Sequence, residues 1–158
     1  DRSLQAEAIQ LISNSIGESV LLLGGPEDTE RNNWLHKKTG EASELSPTTD
    51  GILVGAQHID RCQVIFSGDS LGMHMAIARK KYVVAWFGLS CPQEIDLYDR
   101  GIRLRADVRC APCWQKSCTQ APKCNTKLSL NWIHSAVLDA LNAAEKKLPI
   151  QEDRGANW

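Results

Sequence analysis

Residues 64–74 read Val64-Ile-Phe-Ser-Gly-Asp-Ser70-Leu-Gly-Met-His74, and this segment is the most informative about the fold. The apolar run at its start predicts a buried strand over 63–66, because continuous apolar runs are typical of parallel sheets covered on both faces. A polar turn with a glycine follows at 67–70, and 71–80 has the pattern of a helix. Strand, glycine turn and helix together form the repeating unit of an α/β layer.

The same order of strand, glycine turn and helix occurs earlier in the sequence, and a further predicted strand follows the helix over 71–80. Residues 20–23 predict a strand, Gly24-Gly25-Pro26 a turn and residues 27–38 a helix, while residues 82–86 predict a third strand. A first helix, with Ser3 as its N-cap and Gly17 as its end, precedes them. Strands that alternate with helices predict a Rossmann-like, doubly wound parallel sheet with right-handed crossovers.

The remaining segments complete one predicted domain over 1–148. Residues 39–50 indicate a surface loop with at most a short strand, and 52–59 give a short helical face. A long connection with a cysteine-rich loop over 107–128 leads to a final helix over 129–148. The polar tail over 149–158 is predicted to be frayed and flexible.

Charge and hydropathy exclude several classes of partner. The chain has 18 Lys and Arg against 19 Asp and Glu, so no global basic field favours nucleic acid. No apolar run approaches the roughly 20 residues of a membrane-spanning helix. No signal peptide is visible in the first residues, so we expect a cytoplasmic protein. The chain opens without Met, and we expect it to be a piece of a longer protein.

The turn at 67–70 is the best candidate for a ligand site. In open α/β sheets, ligands bind beyond the carboxyl ends of the strands, where helix N-termini offer unpaired amides. The amides from Ser70 to Gly72 would face a phosphate, and His74 lies one turn further on the same helical face. An ordinary Asp-Ser cap with a solvated or packed histidine is the structural alternative. The Gly24-Gly25 turn is likewise either strand-to-helix punctuation or the second wall of a shared crevice.

Three of these segments together resemble a known family. Gly24-Gly-Pro-Glu-Asp28, the run from Gly68 to Ala76, and Val83-Val-Ala-Trp-Phe-Gly88 resemble the carboxyl-terminal half of glycosyltransferase family 9, the ADP-heptose:lipopolysaccharide heptosyltransferases. The resemblance implies the donor-binding lobe of a B-type glycosyltransferase fold, with two Rossmann-like lobes facing a cleft. It covers nearly the whole chain, including the cysteine cluster and the final helix.

The resemblance also implies roles for individual residues. Asp69, Ser70 and His74 fall on the family's donor-diphosphate motif, and His74 would stabilise the departing diphosphate as the catalytic residue of this lobe. The Gly24 turn and its acids fall near the nucleoside, and Phe87-Gly88 matches a Phe-Gly turn. The residues implied in donor binding are Gly24, Gly25, Glu27, Glu30, Asp69, Ser70, Leu71, Gly72, His74, Phe87 and Gly88.

The sequence departs from the family in two ways. The family usually has glycine directly after the Ser or Thr, whereas this chain has Leu71 there and glycine only at Gly72, and a side chain at that point would crowd a pyrophosphate. The family's amino-terminal lobe, which holds the acceptor and the catalytic base, lies outside this chain. The resemblance thus implies that this chain binds an ADP-sugar, without a metal cofactor, and does not transfer the sugar alone. The acceptor implied is a lipid-linked, lipopolysaccharide-core-type saccharide, at the inner face of the cytoplasmic membrane.

Four cysteines lie within fifteen residues of the cysteine-rich loop. Cys110, Cys113, Cys118 and Cys124 form the spacing C-x2-C-x4-C-x5-C, which is compatible with tetrahedral thiolate coordination of structural zinc or iron. Free thiols and disulfides are the alternatives, and a reducing cytoplasm disfavours disulfides. Pro112 and Pro122 would stiffen the turns of such a loop.

Two other functions compete with donor binding. One is a metal-stabilised interaction module with a vestigial nucleotide crevice, which Leu71 and the cysteine cluster favour. The other is a nucleotide-sugar epimerase of the same fold.

Overall fold

The structure, a computed structural model, describes residues 1–115, 117–120 and 123–155, apart from the side chain of residue 125. The chain divides into two compact units, the first unit being Asp1–Gln63 and the second unit beginning at Val64. The sequence predicted one domain over 1–148. The parallel α/β class is confirmed, although the strands of the described ranges form two sheets, one in each unit, rather than one.

The first unit opens with helix α1, Arg2–Ile16. The Asp1 carboxylate caps it by accepting from the backbone N–H of Ser3 at 2.8 Å and of Leu4 at 3.4 Å. The prediction of Ser3 as the N-cap is therefore wrong, because the acidic residue two positions earlier satisfies the free amides of the first turn. Gly17 ends the helix in the left-handed conformation at φ 72°, as predicted.

Two short parallel strands form the sheet of the first unit. Strand β1, Val20–Leu22, pairs with β2, Ser43–Leu45, so the predicted surface loop does contain a short strand. Helix α2, Thr29–Thr39, follows a single 3-10 turn over Pro26–Asp28 and starts two residues later than predicted. Helix α3, Ile52–Arg61, completes this unit. One core cluster of this unit joins a residue from each of α1, β1 and α2, namely Ile9, Leu22 and Leu35.

The second unit contains a four-stranded parallel sheet. Its strands are β3, Val64–Gly68; β4, Tyr82–Phe87; β5, Arg100–Arg105; and β6, Ile150–Gly155, paired in that order. Helices α4, Leu71–Ala78, and α5, Leu130–Lys146, both pack against β3 and β4. Val83, Val84 and Ala85 are all fully buried. Since neighbouring strand residues point to opposite faces, β4 is covered on both faces, as the apolar run predicted.

Sequence patterns missed two strands of this sheet. Strand β5 lies in the predicted connection, and β6 occupies residues that were predicted to be frayed. The prediction of a flexible tail from 149 is therefore wrong for Ile150–Gly155, while residues 156–158 lie outside the described residues. Both strands are rich in charge, and ion pairs compensate that charge: Arg103 Nε and Arg105 Nη2 contact the two Asp153 carboxylate oxygens at 2.7 and 2.9 Å.

A further charged group ties the edge strand to the last helix. Arg154 on β6 contacts Asp139 on α5 at 2.8 Å and Glu152 at 2.6 Å. Burial lowers the pKa of Arg154, but the hydrogen bonds to Glu152 and Asp139 outweigh burial and raise the pKa above its usual value. The guanidinium thus stays charged at any working pH.

No helix within the described residues is long and apolar enough to cross a membrane.

Candidate functional site

The turn between β3 and α4 is held by two serine hydroxyls. Ser70 is the N-cap of α4, and its Oγ accepts from the backbone N–H of Met73 at 3.4 Å. The Oγ of Ser67, at the end of β3, lies 2.9 Å from the Oγ of Ser70. The cap predicted at this turn is thus formed. Ser67 was not among the predicted site residues, because its only signal in the sequence is a hydroxyl three residues before the cap.

Asp69 and His74 come together on the same turn. The Nε2 of His74 lies 3.5 Å from the Oδ1 of Asp69, and the backbone N–H of His74 donates to the Ser70 carbonyl at 3.2 Å. The imidazole is therefore one helical turn above the cap, with a carboxylate to orient it. Both side chains have solvent access, so an imidazole N–H is available to an anion at the helix N-terminus.

Leu71 and Gly72 follow the cap in the first turn of α4. The Leu71 side chain is 63% exposed, which places an apolar group in solvent beside the free amides of the helix. A side chain built on Gly72 would meet only Ser70 Oγ, at 3.7 Å. Gly72 thus leaves its side of the turn open, whereas Leu71 occupies the position at which the resemblance expects glycine.

The residues behind the turn are packed rather than exposed. A Cβ on Gly68 would lie 2.9 Å from Trp86 Nε1, so the Trp86 indole reaches the backbone at the end of β3. Phe87 has no exposed surface, and a Cβ on Gly88 would lie 2.6 Å from Cys124 Sγ. The Phe87 side chain therefore belongs to the core, and a ligand contact at Phe87-Gly88 falls to the backbone.

In the first unit, the Gly24-Gly25 turn is fixed by two polar side chains. Asn32 is 2% exposed and donates from Nδ2 to the Leu23 carbonyl at 3.2 Å. The backbone N–H of Gly25 donates to Asp28 Oδ2 at 3.2 Å. A Cβ on Gly24 would lie 2.5 Å from Asp28 Cβ, so only glycine allows α2 to approach this closely. Asp28 lies three residues after Gly25, which is the capping-box spacing, and belongs to the segment that carried the family resemblance, although it was not named among the donor-binding residues.

The two predicted acids of this turn are both solvent-exposed. Glu27 lies beside Gly25, and Glu30 forms an ion pair with Arg2 at 3.4 Å. An exposed pair of this kind contributes little to stability, so Glu30 is free to exchange Arg2 for another partner. The shared crevice predicted for the two glycine turns stays a prediction.

The clustered cysteines are not gathered into a thiolate cage in the described part of the loop. None of the six cysteines, all of them described, forms a disulfide, and Cys110 and Cys118 are exposed. In the described part of the chain, no group of three His, Cys, Asp or Glu side chains is arranged to hold a metal ion. The four-cysteine zinc or iron site therefore stays a prediction. In the described geometry, Cys124 packs against the Gly88 backbone. Pro122, predicted to stiffen this loop, lies outside the described residues.

Comparison with solved structures identifies a protein of similar fold. The crystal structure of a family 9 glycosyl transferase from Veillonella parvula is similar, with a TM-score of 0.73 and 20% sequence identity. The match covers 90% of this chain and 42% of that chain, so this chain spans less than half the length of that protein. The similarity confirms the predicted α/β class and the lobe of a B-type glycosyltransferase fold.

Comparison of the sequence with curated proteins gave no significant match. The model of glycosyltransferase family 9 (heptosyltransferase), in contrast, matches residues 7–124. This range comprises 118 of the 158 residues and contains both glycine turns and all four clustered cysteines. The chain therefore belongs to glycosyltransferase family 9.

Proposed function

We propose that this chain binds the nucleotide-sugar donor of an inverting glycosyltransferase and that the donor is ADP-heptose or a close relative. The observation that carries the proposal is the β3–α4 turn, which brings the Ser70 cap, the first-turn amides of α4 and the partly exposed His74 imidazole together. A diphosphate is the ligand that such a set of donors favours.

The chemistry expected of this turn is stabilisation of the leaving group. When the sugar is transferred, the bond between its anomeric carbon and the β-phosphate oxygen breaks, and the bonding electrons remain on the diphosphate. The acceptor oxygen forms the new bond to that carbon, and its proton passes to a base that the family resemblance places in the amino-terminal lobe. Helix amides and the His74 N–H would disperse the charge that develops on the diphosphate. In this scheme, backbone amides and the His74 imidazole supply the stabilisation that a divalent cation supplies in other transferases.

The same proposal names the other partners. The acceptor would be a lipid-linked saccharide bound by the amino-terminal lobe, and the reaction would take place in the cytoplasm at the inner face of the membrane. The support for these partners is family membership, since such an acceptor is what the resemblance implies.

Titration calorimetry with ADP tests the proposal. Ser70→Ala removes the cap hydroxyl that we expect to contact the diphosphate, and the ADP affinity should fall by about tenfold. Ser129, the N-cap of α5, provides the matched control because its side chain makes no cap hydrogen bond. Ser129→Ala should leave the ADP affinity unchanged. If ADP at millimolar concentration gives no heat with the unmodified chain, the vestigial-crevice alternative that Leu71 favours is supported instead.

A further inference from the structure

A cleft of about 250 Å³ opens beside the diphosphate turn, within the second unit. One wall is the side of α4, and the other is the segment between β4 and β5. The residues that line the cleft are His74, Ile77, Glu94, Ile95, Asp96 and Tyr98. His74 is thus shared between the cleft and the turn at Ser70, whereas the four residues from the segment 94–98 have no role in the proposed function so far.

The ring of Tyr98 is held at this cleft by an unusual backbone. Tyr98 and Asp99 both have left-handed conformations, at φ 52° and 56°, which are strained for residues other than glycine. The Tyr98 N–H donates to Asp96 Oδ1 at 2.7 Å, and the Asp99 N–H donates to Gln151 Oε1 at 3.2 Å. These bonds hold Tyr98 at the cleft, where the residue is 59% exposed.

Arg103 on β5 holds the segment between β4 and β5 that forms this wall of the cleft. Arg103 Nη1 donates to the carbonyls of Pro92 at 3.2 Å and Ile95 at 3.1 Å, while its Nε pairs with Asp153. The Arg103 side chain is only 16% exposed, so this link is shielded from water and persists in solution. The wall of the cleft is therefore pre-formed, which lowers the ordering cost of binding.

The chemistry of the cleft excludes one class of ligand and fits another. Two carboxylates, Glu94 and Asp96, repel phosphate but accept hydrogen bonds from hydroxyl groups. The exposed Tyr98 ring and the two isoleucines offer apolar surface to the C–H faces of a ring. A compact, uncharged ligand with many hydroxyls and apolar faces satisfies both requirements, and a pyranose is such a ligand.

We propose that this cleft binds the pyranose ring of the donor, with Glu94 and Asp96 as hydroxyl acceptors and Tyr98 as the stacking surface. The donor, rather than the acceptor saccharide, is the source of this ring because His74 lines both the cleft and the diphosphate turn. The inference rests on the proposed function, since it assumes that a nucleoside diphosphate lies at Ser70.

The experiment compares ADP with ADP-glucose, a stable donor carrying a pyranose, on the whole 158-residue chain. ADP-glucose should shift the Tyr98 and Glu94 amide resonances, and ADP alone should not. Glu94→Gln should weaken the binding of ADP-glucose by about tenfold, because the hydroxyl of the pyranose then donates to a neutral amide oxygen instead of a charged carboxylate. The same substitution should weaken the binding of ADP by less than twofold. Glu145→Gln, at an exposed position on α5, is the matched control and should change neither affinity.

The outcomes separate this inference from the proposed function. If ADP binds at Ser70 but ADP-glucose causes no additional shift at Tyr98, the cleft proposal is overturned and the proposed function stands. If ADP does not bind, the proposed function fails.

Methyl α-glucoside then tests the cleft without a nucleotide. Shifts of the Tyr98 resonance with this glycoside would support a pyranose site in the cleft, and the absence of shifts would reject it. If the glycoside binds the cleft while ADP-glucose leaves it free, the assignment to the donor is wrong and the acceptor is the source.

Discussion

Ser67 and Ser70 are joined by a hydrogen bond, with their Oγ atoms 2.9 Å apart. A serine hydroxyl has two acceptor sites and one proton. Ser70 already accepts from the Met73 N–H, so when Ser67 donates to Ser70 both acceptor sites are filled. The Ser70 proton is then directed outward, towards the position that a diphosphate would occupy.

Replacement of Ser67 should therefore weaken diphosphate binding without disrupting the helix. We expect Ser67→Ala to lower the ADP affinity by about threefold to tenfold, equivalent to one neutral hydrogen bond, because the Ser70 hydroxyl loses its fixed orientation. Calorimetry measures the affinity, and thermal unfolding measures stability, which should change little. An ADP affinity equal to that of the unmodified chain would show that Ser67 does not orient Ser70.

Leu71 offers a gain-of-function test of the same turn. Leu71→Gly removes an exposed side chain at the position where the family usually has glycine, so we expect tighter ADP binding. The expected cost is at most about 1 kcal/mol of helix stability, because glycine is a weak helix former. Leu71→Ala is the matched control, since it retains a Cβ and should give an intermediate affinity. Unchanged or weaker binding in Leu71→Gly would show that Leu71 does not crowd the ligand.

Asn32 tests the structural role of the first glycine turn. Its side chain is buried and donates to the Leu23 carbonyl, so Asn32→Ala leaves that carbonyl unpaired. We expect a loss of about 1–3 kcal/mol in the free energy of unfolding, measured by urea denaturation. The neighbouring Asn33 is exposed, and Asn33→Ala should change stability by less than about 0.5 kcal/mol. Equal effects of the two substitutions would contradict the role assigned to Asn32.

The exposure of the cysteines predicts the order in which their thiols react. Because none of the six cysteines forms a disulfide and Cys110 and Cys118 are exposed, a thiol reagent should modify all six, with these two reacting first. Elemental analysis of the reduced chain should find no stoichiometric zinc or iron. Stoichiometric zinc together with four protected thiols would instead restore the tetrahedral site that the spacing suggested.

Sequence patterns predicted the fold correctly where apolar runs were continuous. They missed the strands in which charged residues replace such runs. The buried run of β4 and the glycine end of α1 follow directly from local sequence. Strand β5, in contrast, carries three arginines, and β6 carries Glu152, Asp153 and Arg154. This charge is compensated only after Arg103 meets Asp153 across 50 positions. Such a pairing depends on tertiary structure and has no local signal.

The candidate site likewise contains residues that a local sequence signal predicts and residues that only the tertiary structure brings together. Asp69, Ser70 and His74 were recognisable because cap chemistry is local and the spacing of four places His74 on the face of the cap. The cleft wall from Glu94 to Tyr98 was not predicted, because a hydrogen bond within the loop and links to Arg103 and Gln151 on two other strands hold it in place. The cysteine spacing suggested a metal site that stays a prediction, since spacing alone does not fix where the thiols point.

The central claim is that a nucleoside diphosphate binds at the N-terminus of α4, and amide chemical-shift mapping with ADP tests it most directly. We expect ADP to shift the backbone resonances of Ser70, Leu71, Gly72 and His74 in a saturable manner, and Ser70→Ala to reduce these shifts at equal ADP concentration. Millimolar ADP that leaves these four resonances unmoved would contradict the claim.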